Sequence, residues 1–282
     1  MSAPGTPGGT PSATPGRTPS GIPYTVHGTG PRPVVLVAGA GGTGRIWEHH
    51  QVPALTAAGY RAITFDHGEE PTDPQALAAR TVALLDALGL PRCPLVGHSL
   101  GALAVQELLL TDAHRVSGAL LAATRGRSDV LAEALARAET ATADTGTRPP
   151  PAYEAYARLV MNLSPRTLAD ERAAAEWLDL FELAALTGAS AAADRPLPPL
   201  GNRLADLGRI PVPVLVAGFA DDVLAPAPLG REVAAAIPGA RYAELADAGH
   251  LGFLERPDAF NTVLLDFLAT LAPTDPGVSR VP

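Results

Sequence analysis

The stretch Pro94-Leu95-Val96-Gly97-His98-Ser99-Leu100-Gly101-Ala102 constrains this chain more than any other. A short apolar strand runs straight into Gly-x-Ser-x-Gly, and a helical pattern follows at once. In that strand–turn–helix context the serine sits on a sharp turn with its hydroxyl exposed at the edge of a sheet. Gly97 and Gly101 suit the turn, because a side chain at either place would clash across it. The helix opening near Leu100 aims backbone N–H groups and the positive end of its dipole at the same point. Gly-x-Ser-x-Gly also occurs in ordinary strand-to-helix loops, so its meaning depends on the rest of the chain.

The 282 residues are 46% hydrophobic and 18% charged, with net charge −8. That balance suits one soluble domain with a large core and room for an insertion. The acidic surplus, without a basic patch interleaved with aromatics, speaks against a nucleic-acid partner. The apolar runs Val34–Ala38 and Gly118–Ala123 are far too short to span a bilayer, so no membrane partner is expected. A single cysteine, Cys93, permits no internal disulfide, and the expected location is the cytoplasm. No Cys/His spacing matches a zinc site, so neither metal nor cofactor is expected. All 21 basic residues are arginines. The absence of lysine excludes a Schiff-base lysine, a Ser–Lys dyad and a Walker-type phosphate lysine together.

Residues 1–23 hold six prolines, five glycines and one charged residue, Arg17. This composition predicts a disordered Pro/Gly-rich tail, and it has no secretory-signal pattern. From Tyr24 the pattern is strand (Ile22–Val26), turn (Gly28-Thr29-Gly30-Pro31) and strand (Val34–Ala38). The continuously apolar Val34–Ala38 reads as a strand buried on both faces. It ends in Gly39-Ala40-Gly41-Gly42-Thr43-Gly44. This loop has two readings, an oxyanion-binding loop or a dinucleotide cradle of Gly-x-Gly-x-x-Gly spacing. Asp66, about 20 residues on, gives the second reading some support.

A helix over Trp47–Ala58, a strand over Arg61–Phe65 and an amphipathic helix over Asp73–Gly89 follow. After the Ser99 strand and its helix comes another strand, Val116–Ala123. Strand–helix alternation predicts a mainly parallel sheet with helices on both faces. Residues 125–209 break the pattern with alanine-rich helices near Ser128–Ala143, Ala152–Asn162, Thr167–Thr187 and Asn202–Leu207, as an inserted helical cap would. Alternation resumes with Val212–Gly218, Leu229–Ala236, Arg241–Leu245 and the closing helix Ala259–Leu271, after which the terminus is expected to fray. The expected division is a core of 24–124 and 210–272 around a cap of 125–209.

Three motifs now stand in order: Gly97-His98-Ser99-Leu100-Gly101, then Gly218-Phe219-Ala220-Asp221-Asp222-Val223-Leu224-Ala225-Pro226, then Ala248-Gly249-His250-Leu251-Gly252-Phe253-Leu254-Glu255-Arg256-Pro257. On these the chain resembles the α/β-hydrolase fold superfamily, of the lid-containing serine hydrolase or esterase type, over Tyr24 to Leu271. The resemblance implies the chain order Ser, acid, His. Ser99 would be the nucleophile, His250 the base and Asp222 the acid, with Asp222 favoured by its place four residues before Pro226. Asp221 is its competitor, and Asp247 is expected to cap a loop. The oxyanion would be received by the N–H groups of Ala40 and Leu100.

Two departures from the family pattern stand out. Ala38-Gly39 replaces a frequent His-Gly, which leaves the backbone donor in place. His67-Gly68-Glu69-Glu70-Pro71 replaces an Arg-Gly-x-Gly-x-Ser type loop. Glu69 and Glu70 are either a solvated acidic loop or a filter against anionic substrates. In the cap, Tyr156, Met161, Trp177 and Phe181, together with Tyr153, offer an apolar wall for a small-molecule substrate. The expected activity is hydrolysis of a small or medium ester, lactone or thioester. Two alternatives share the fold: a natural-product tailoring enzyme (epimerase, cyclase, C–C hydrolase or perhydrolase) and a silent ligand-binding protein.

Overall fold

A computed structural model describes residues 12–41, 43–68, 73–187 and 200–271. Chain order begins with β1 (Ala13–Arg17), β2 (Pro23–His27), β3 (Arg32–Val37), α1 (Gln51–Ala57), β4 (Tyr60–Phe65) and α2 (Pro74–Ala87). It continues through β5 (Cys93–His98), α3 (Leu100–Thr111) and β6 (Val116–Ala122). A run of helices intervenes: α4 (Val130–Asp144), α5 (Pro151–Asn162), α6 (Pro165–Leu168), α7 (Glu171–Thr187) and α8 (Leu204–Leu207). The core then resumes with β7 (Val214–Phe219), α9 (Ala227–Ala236), β8 (Arg241–Leu245), α10 (Gly252–Glu255) and α11 (Pro257–Ala269).

The strands form one eight-stranded sheet in the order β1-β2-β4-β3-β5-β6-β7-β8. β1 and β2 pair antiparallel, and every pairing from β4 to β8 is parallel. Side chains alternate across it, and both faces are covered. Val35 and Val37 face the core shared with Leu77 and Leu84 of α2, Leu108 of α3 and Val233 of α9. Val34 and Leu36 face the opposite core, with Val52 and Leu55 of α1 and Phe260 and Leu264 of α11. Burial of each such side chain stabilises the fold by roughly 1.5–3 kcal/mol. The expected α/β architecture, with a mainly parallel sheet and helices on both faces, is therefore what the chain adopts. β4 and β5 leave β3 in opposite directions, so the strand order reverses there. The crevice at the carboxyl ends of β3 and β5 is the place where open α/β sheets bind ligands.

Three sequence expectations need correction. Residues 13–17, placed in a disordered tail, form β1, an edge strand paired with β2 from Ala13↔His27 to Arg17↔Pro23. Backbone ladders need no apolar side chains, and Pro15 is tolerated because the strand is at the edge. Gly16 leaves room for the Tyr24 ring, which lies where a Cβ would stand, and Thr18 Oγ1 accepts the Ile22 N–H at 2.9 Å to close the turn. The helix expected over Thr167–Thr187 is two, α6 and α7. Asp170 accepts the N–H groups of Arg172 and Ala173 at 3.1 Å each and so starts a new helix. The helix expected from Trp47 to Ala58 is a 3-10 turn over Gly44–Trp47 followed by α1. Asn261 donates to the His50 carbonyl at 3.2 Å in the gap between them. Residues 1–11, Glu69 and Glu70, and 272–282 lie outside the described residues.

Candidate active site

β5 delivers Ser99 to the crevice on a strained turn. Its φ is 54° and ψ −119°, a conformation that costs a non-glycine residue energy and persists only where the surroundings enforce it. The enforcement is visible. Ser99 N–H donates to Ala122 O of β6 at 3.0 Å, and Leu103 N–H donates to Ser99 O at 3.1 Å as α3 begins. A Cβ on Gly101 would stand 2.2 Å from Val37 O, and one on Gly97 2.5 Å from Gly101 O. The elbow closes only because neither glycine has a side chain. Gly39, at the end of β3, packs so tightly that its Cβ would meet the Ser99 Cβ at 3.2 Å. The Gly39-Ala40 backbone and the start of α3 at Leu100 therefore flank the serine.

The two other motifs converge on it. Ser99 Oγ lies 2.9 Å from His250 Nε2, and His250 Nδ1 lies 3.0 and 2.9 Å from the two carboxylate oxygens of Asp222. A carboxylate can only accept, so Nδ1 carries the proton and Nε2 is free to accept from the Ser99 hydroxyl. Asp222 and His250 are buried, while Ser99 stays partly exposed to solvent. Burial alone would raise the Asp222 pKa. The charge and hydrogen bond of His250, with the N–H groups of Ala225 (2.9 Å) and Leu224 (2.8 Å), outweigh it and hold the carboxyl below its usual range. Of the two adjacent aspartates, Asp222 is the one whose side chain meets the imidazole, whereas Asp221 donates its backbone N–H to Ala248 O at 2.9 Å. Asp247 is bound by Arg166 at 3.0 Å.

His98 turns away from the serine. Its Nε2–H donates to His250 O at 2.8 Å, and its ring packs between His250 and Phe253 at centroid distances of 4.9 and 4.6 Å. Glu255, quoted within the histidine motif but given no task by the sequence, accepts three hydrogen bonds. These come from Gly249 N–H at 2.6 Å and from the Ser164 N–H and hydroxyl at 2.8 Å each. Leu251 N–H adds a bond to Asn162 O at 3.1 Å. The α5–α6 corner of the helical insertion is therefore fastened to the loop that carries His250.

The dinucleotide reading of the glycine loop fails on its acid and its helix. Asp66 is taken by the Gly44 N–H at 2.7 Å, and the first α-helix begins only at Gln51. Of the expected wall residues, Trp177 and Phe181 stack on each other at 5.6 Å and Met161 is half-buried, whereas Tyr156 is 60% exposed and Tyr153 63%. Among the described residues none of these hydrogen-bonds Ser99, His250 or Asp222.

Two buried histidines set an acid limit on stability. Burial, helped by the His250 charge, pushes His98 down to about 3; burial, helped by Arg80, pushes His67 down to about 4. In the unfolded chain both imidazoles protonate near pH 6.5. Between that pH and about 4 the unfolded state binds more protons, so stability falls as pH falls. Each histidine should cost about 2 kcal/mol between pH 7 and pH 5. Among the described residues neither ring nitrogen of His67 has a hydrogen-bond partner, so the substitution tested is phenylalanine. Urea unfolding at the two pH values should show His67→Phe losing about 2 kcal/mol less than wild type. Equal losses would remove His67 from this account.

The comparisons with known proteins agree with the architecture. The profile of the Alpha/beta hydrolase family matches residues 34–263. A Mycobacterium tuberculosis protein provisionally named non-heme bromoperoxidase BpoC is 45% identical over 89% of this chain and 98% of its own. Its crystal structure superposes with a TM-score of 0.83 at 43% identity, covering 89% of this chain and 96% of that one. A Variovorax paradoxus protein provisionally named carbamate hydrolase RutD is 32% identical over 90% of this chain and 98% of its own. The crystal structure of an enol-lactonase from Burkholderia xenovorans superposes with a TM-score of 0.69 at 26% identity, covering 91% of this chain and 100% of that one. Among the described residues no helix is long and apolar enough to cross a membrane. With the sheet order, the strained serine turn and the profile match in agreement, this chain is an enzyme and belongs to the alpha/beta hydrolase family.

Proposed function

We propose that this enzyme is a serine hydrolase of small or medium esters, lactones or thioesters. The observation that carries the reading is the unbroken hydrogen-bond chain from Asp222 through His250 to the Ser99 hydroxyl. A serine hydroxyl is a weak nucleophile until a neighbouring base takes its proton. His250 Nε2 takes it as Ser99 Oγ attacks the substrate carbonyl. Asp222 holds the imidazole in the required tautomer and stabilises its cation. The tetrahedral oxyanion is received by the N–H groups of Ala40 and Leu100, each such donor contributing about 3 kcal/mol to the transition state. Collapse expels the leaving group with the proton from His250. Water activated by the same histidine then cleaves the acyl-enzyme. Trp177, Phe181, Met161 and Tyr156 of the helical insertion supply apolar contacts to the substrate. Protein groups and water complete the cycle without a cofactor.

The similarity to BpoC favours a second reading, perhydrolysis. There hydrogen peroxide replaces water in attacking the acyl-enzyme, giving a peracid and regenerating the Ser99 hydroxyl. Short-chain p-nitrophenyl esters assayed in ¹⁸O-labelled water test the first reading. One labelled oxygen should enter the released acid, and Ser99→Ala should release none. Turnover that survives in Ser99→Ala would sink it. Addition of peroxide and bromide then tests the second reading: bromination of a diketone dye supports it, and an unchanged dye counts against it.

A further inference from the structure

The ends of β6 and β7 meet beside the acid. Ala123, just beyond β6, has φ 49° and donates its N–H to Ala217 O of β7 at 3.1 Å. Gln106, buried on the helix that follows Ser99, donates Nε2–H to Thr124 Oγ1 at 2.7 Å and to Arg125 O at 3.1 Å. The backbone of residues 123–125 is thereby fixed to both neighbours. From it the Arg125 side chain crosses to the loop after β7, where Nη1–H donates to Leu224 O at 2.9 Å.

That carbonyl belongs to the Leu224–Ala225 peptide, whose N–H is the donor to Asp222 Oδ1 at 2.9 Å. The described residues contain no cis peptide bond, and in a trans peptide C=O and N–H point in opposite directions. One peptide unit therefore stands between a guanidinium and a carboxylate, its oxygen toward the cation and its N–H toward the anion. Hydrogen bonds so aligned polarise and strengthen one another, and those to charged groups are the strong ones. Burying a guanidinium is costly and lowers its pKa here. Asp129, Asp222 and Glu139 oppose that shift and keep the charge balanced.

We propose that Arg125 is a positioning residue for the catalytic acid. It locks the Leu224–Ala225 peptide plane, which holds Asp222 Oδ1 so that the carboxylate faces His250 Nδ1. The inference rests on the serine-hydrolase reading. It adds a fourth group, from the loop after β6, to the three that the motifs suggest.

The test is a double-mutant cycle on a p-nitrophenyl ester, with thermal midpoints recorded to establish folding. Arg125→Met keeps the length of the side chain and removes its donors. It should lower kcat about 10-fold, the scale of one lost charged hydrogen bond, and leave KM within about 2-fold. In an Asp222→Asn background the same change should have little further effect, because its route of action is already cut. Arg125→Lys, which restores a cationic donor, should recover part of kcat and serves alone if the methionine variant does not fold. A wild-type kcat in Arg125→Met, an Arg125→Lys variant no more active than Arg125→Met, or an equal fall with and without Asp222, overturns the assignment of Arg125. A wild type that neither hydrolyses esters nor reacts with a fluorophosphonate overturns the serine-hydrolase reading, and this inference with it.

Discussion

Asp222→Asn should lower turnover about 10⁴-fold, whereas Asp221→Asn should leave it within a few-fold. The asymmetry follows from what each side chain meets. Both Asp222 oxygens lie within 3.0 Å of His250 Nδ1. An amide placed there turns an N–H toward Nδ1, so the imidazole flips its proton to Nε2 and loses the lone pair that receives the serine proton. Asp221 contributes a backbone bond to Ala248 that an asparagine keeps. Steady-state kinetics on one ester measures both variants. A large loss at Asp221, or a small one at Asp222, would reverse the assignment of the acid.

Gly101→Ala should cost both stability and activity. The added methyl would stand 2.2 Å from Val37 O and 2.5 Å from Ala38 O, and both are backbone atoms that cannot rotate away. α3 would have to retreat from β3. That carries Ser99 and the Leu100 N–H away from the Gly39-Ala40 backbone. Overpacking of this severity is expected to cost about 3 kcal/mol or more. Gly201→Ala, where a Cβ meets nothing within 4 Å among the described residues, is the control and should behave as wild type. Thermal denaturation and kcat together decide the point. A Gly101→Ala enzyme with normal midpoint and rate would mean that the elbow is not held as tightly as its packing demands.

The parts of the molecule legible in the sequence are those written in local pattern. Continuous apolar runs such as Val34–Ala38 announce strands buried on both faces, and the elbow is a contiguous five-residue motif. What stayed hidden depends on pairings distant in sequence. β1 forms because β2 offers a free edge, and a count of prolines and glycines in residues 1–23 cannot register an edge. Two adjacent aspartates look alike until one is buried against an imidazole 28 residues further on. Gln106, Arg125 and Glu255 act through main-chain groups of other loops, so no spacing in the chain predicts them. Glu255 gave the best available hint, a carboxylate five residues beyond the histidine. The proposed substrate wall is the least legible feature, because exposed Tyr156 and stacked Trp177 and Phe181 carry the same helical periodicity as any amphipathic surface.

The central claim is that Ser99, activated through His250, is the nucleophile. Intact mass measurement after exposure to a fluorophosphonate tests it most directly. Wild type should gain a single phosphonyl adduct that maps to the peptide containing Ser99, and Ser99→Ala should gain none. An adduct that persists in Ser99→Ala, or an unmodified wild type under conditions where it is folded, would contradict the account.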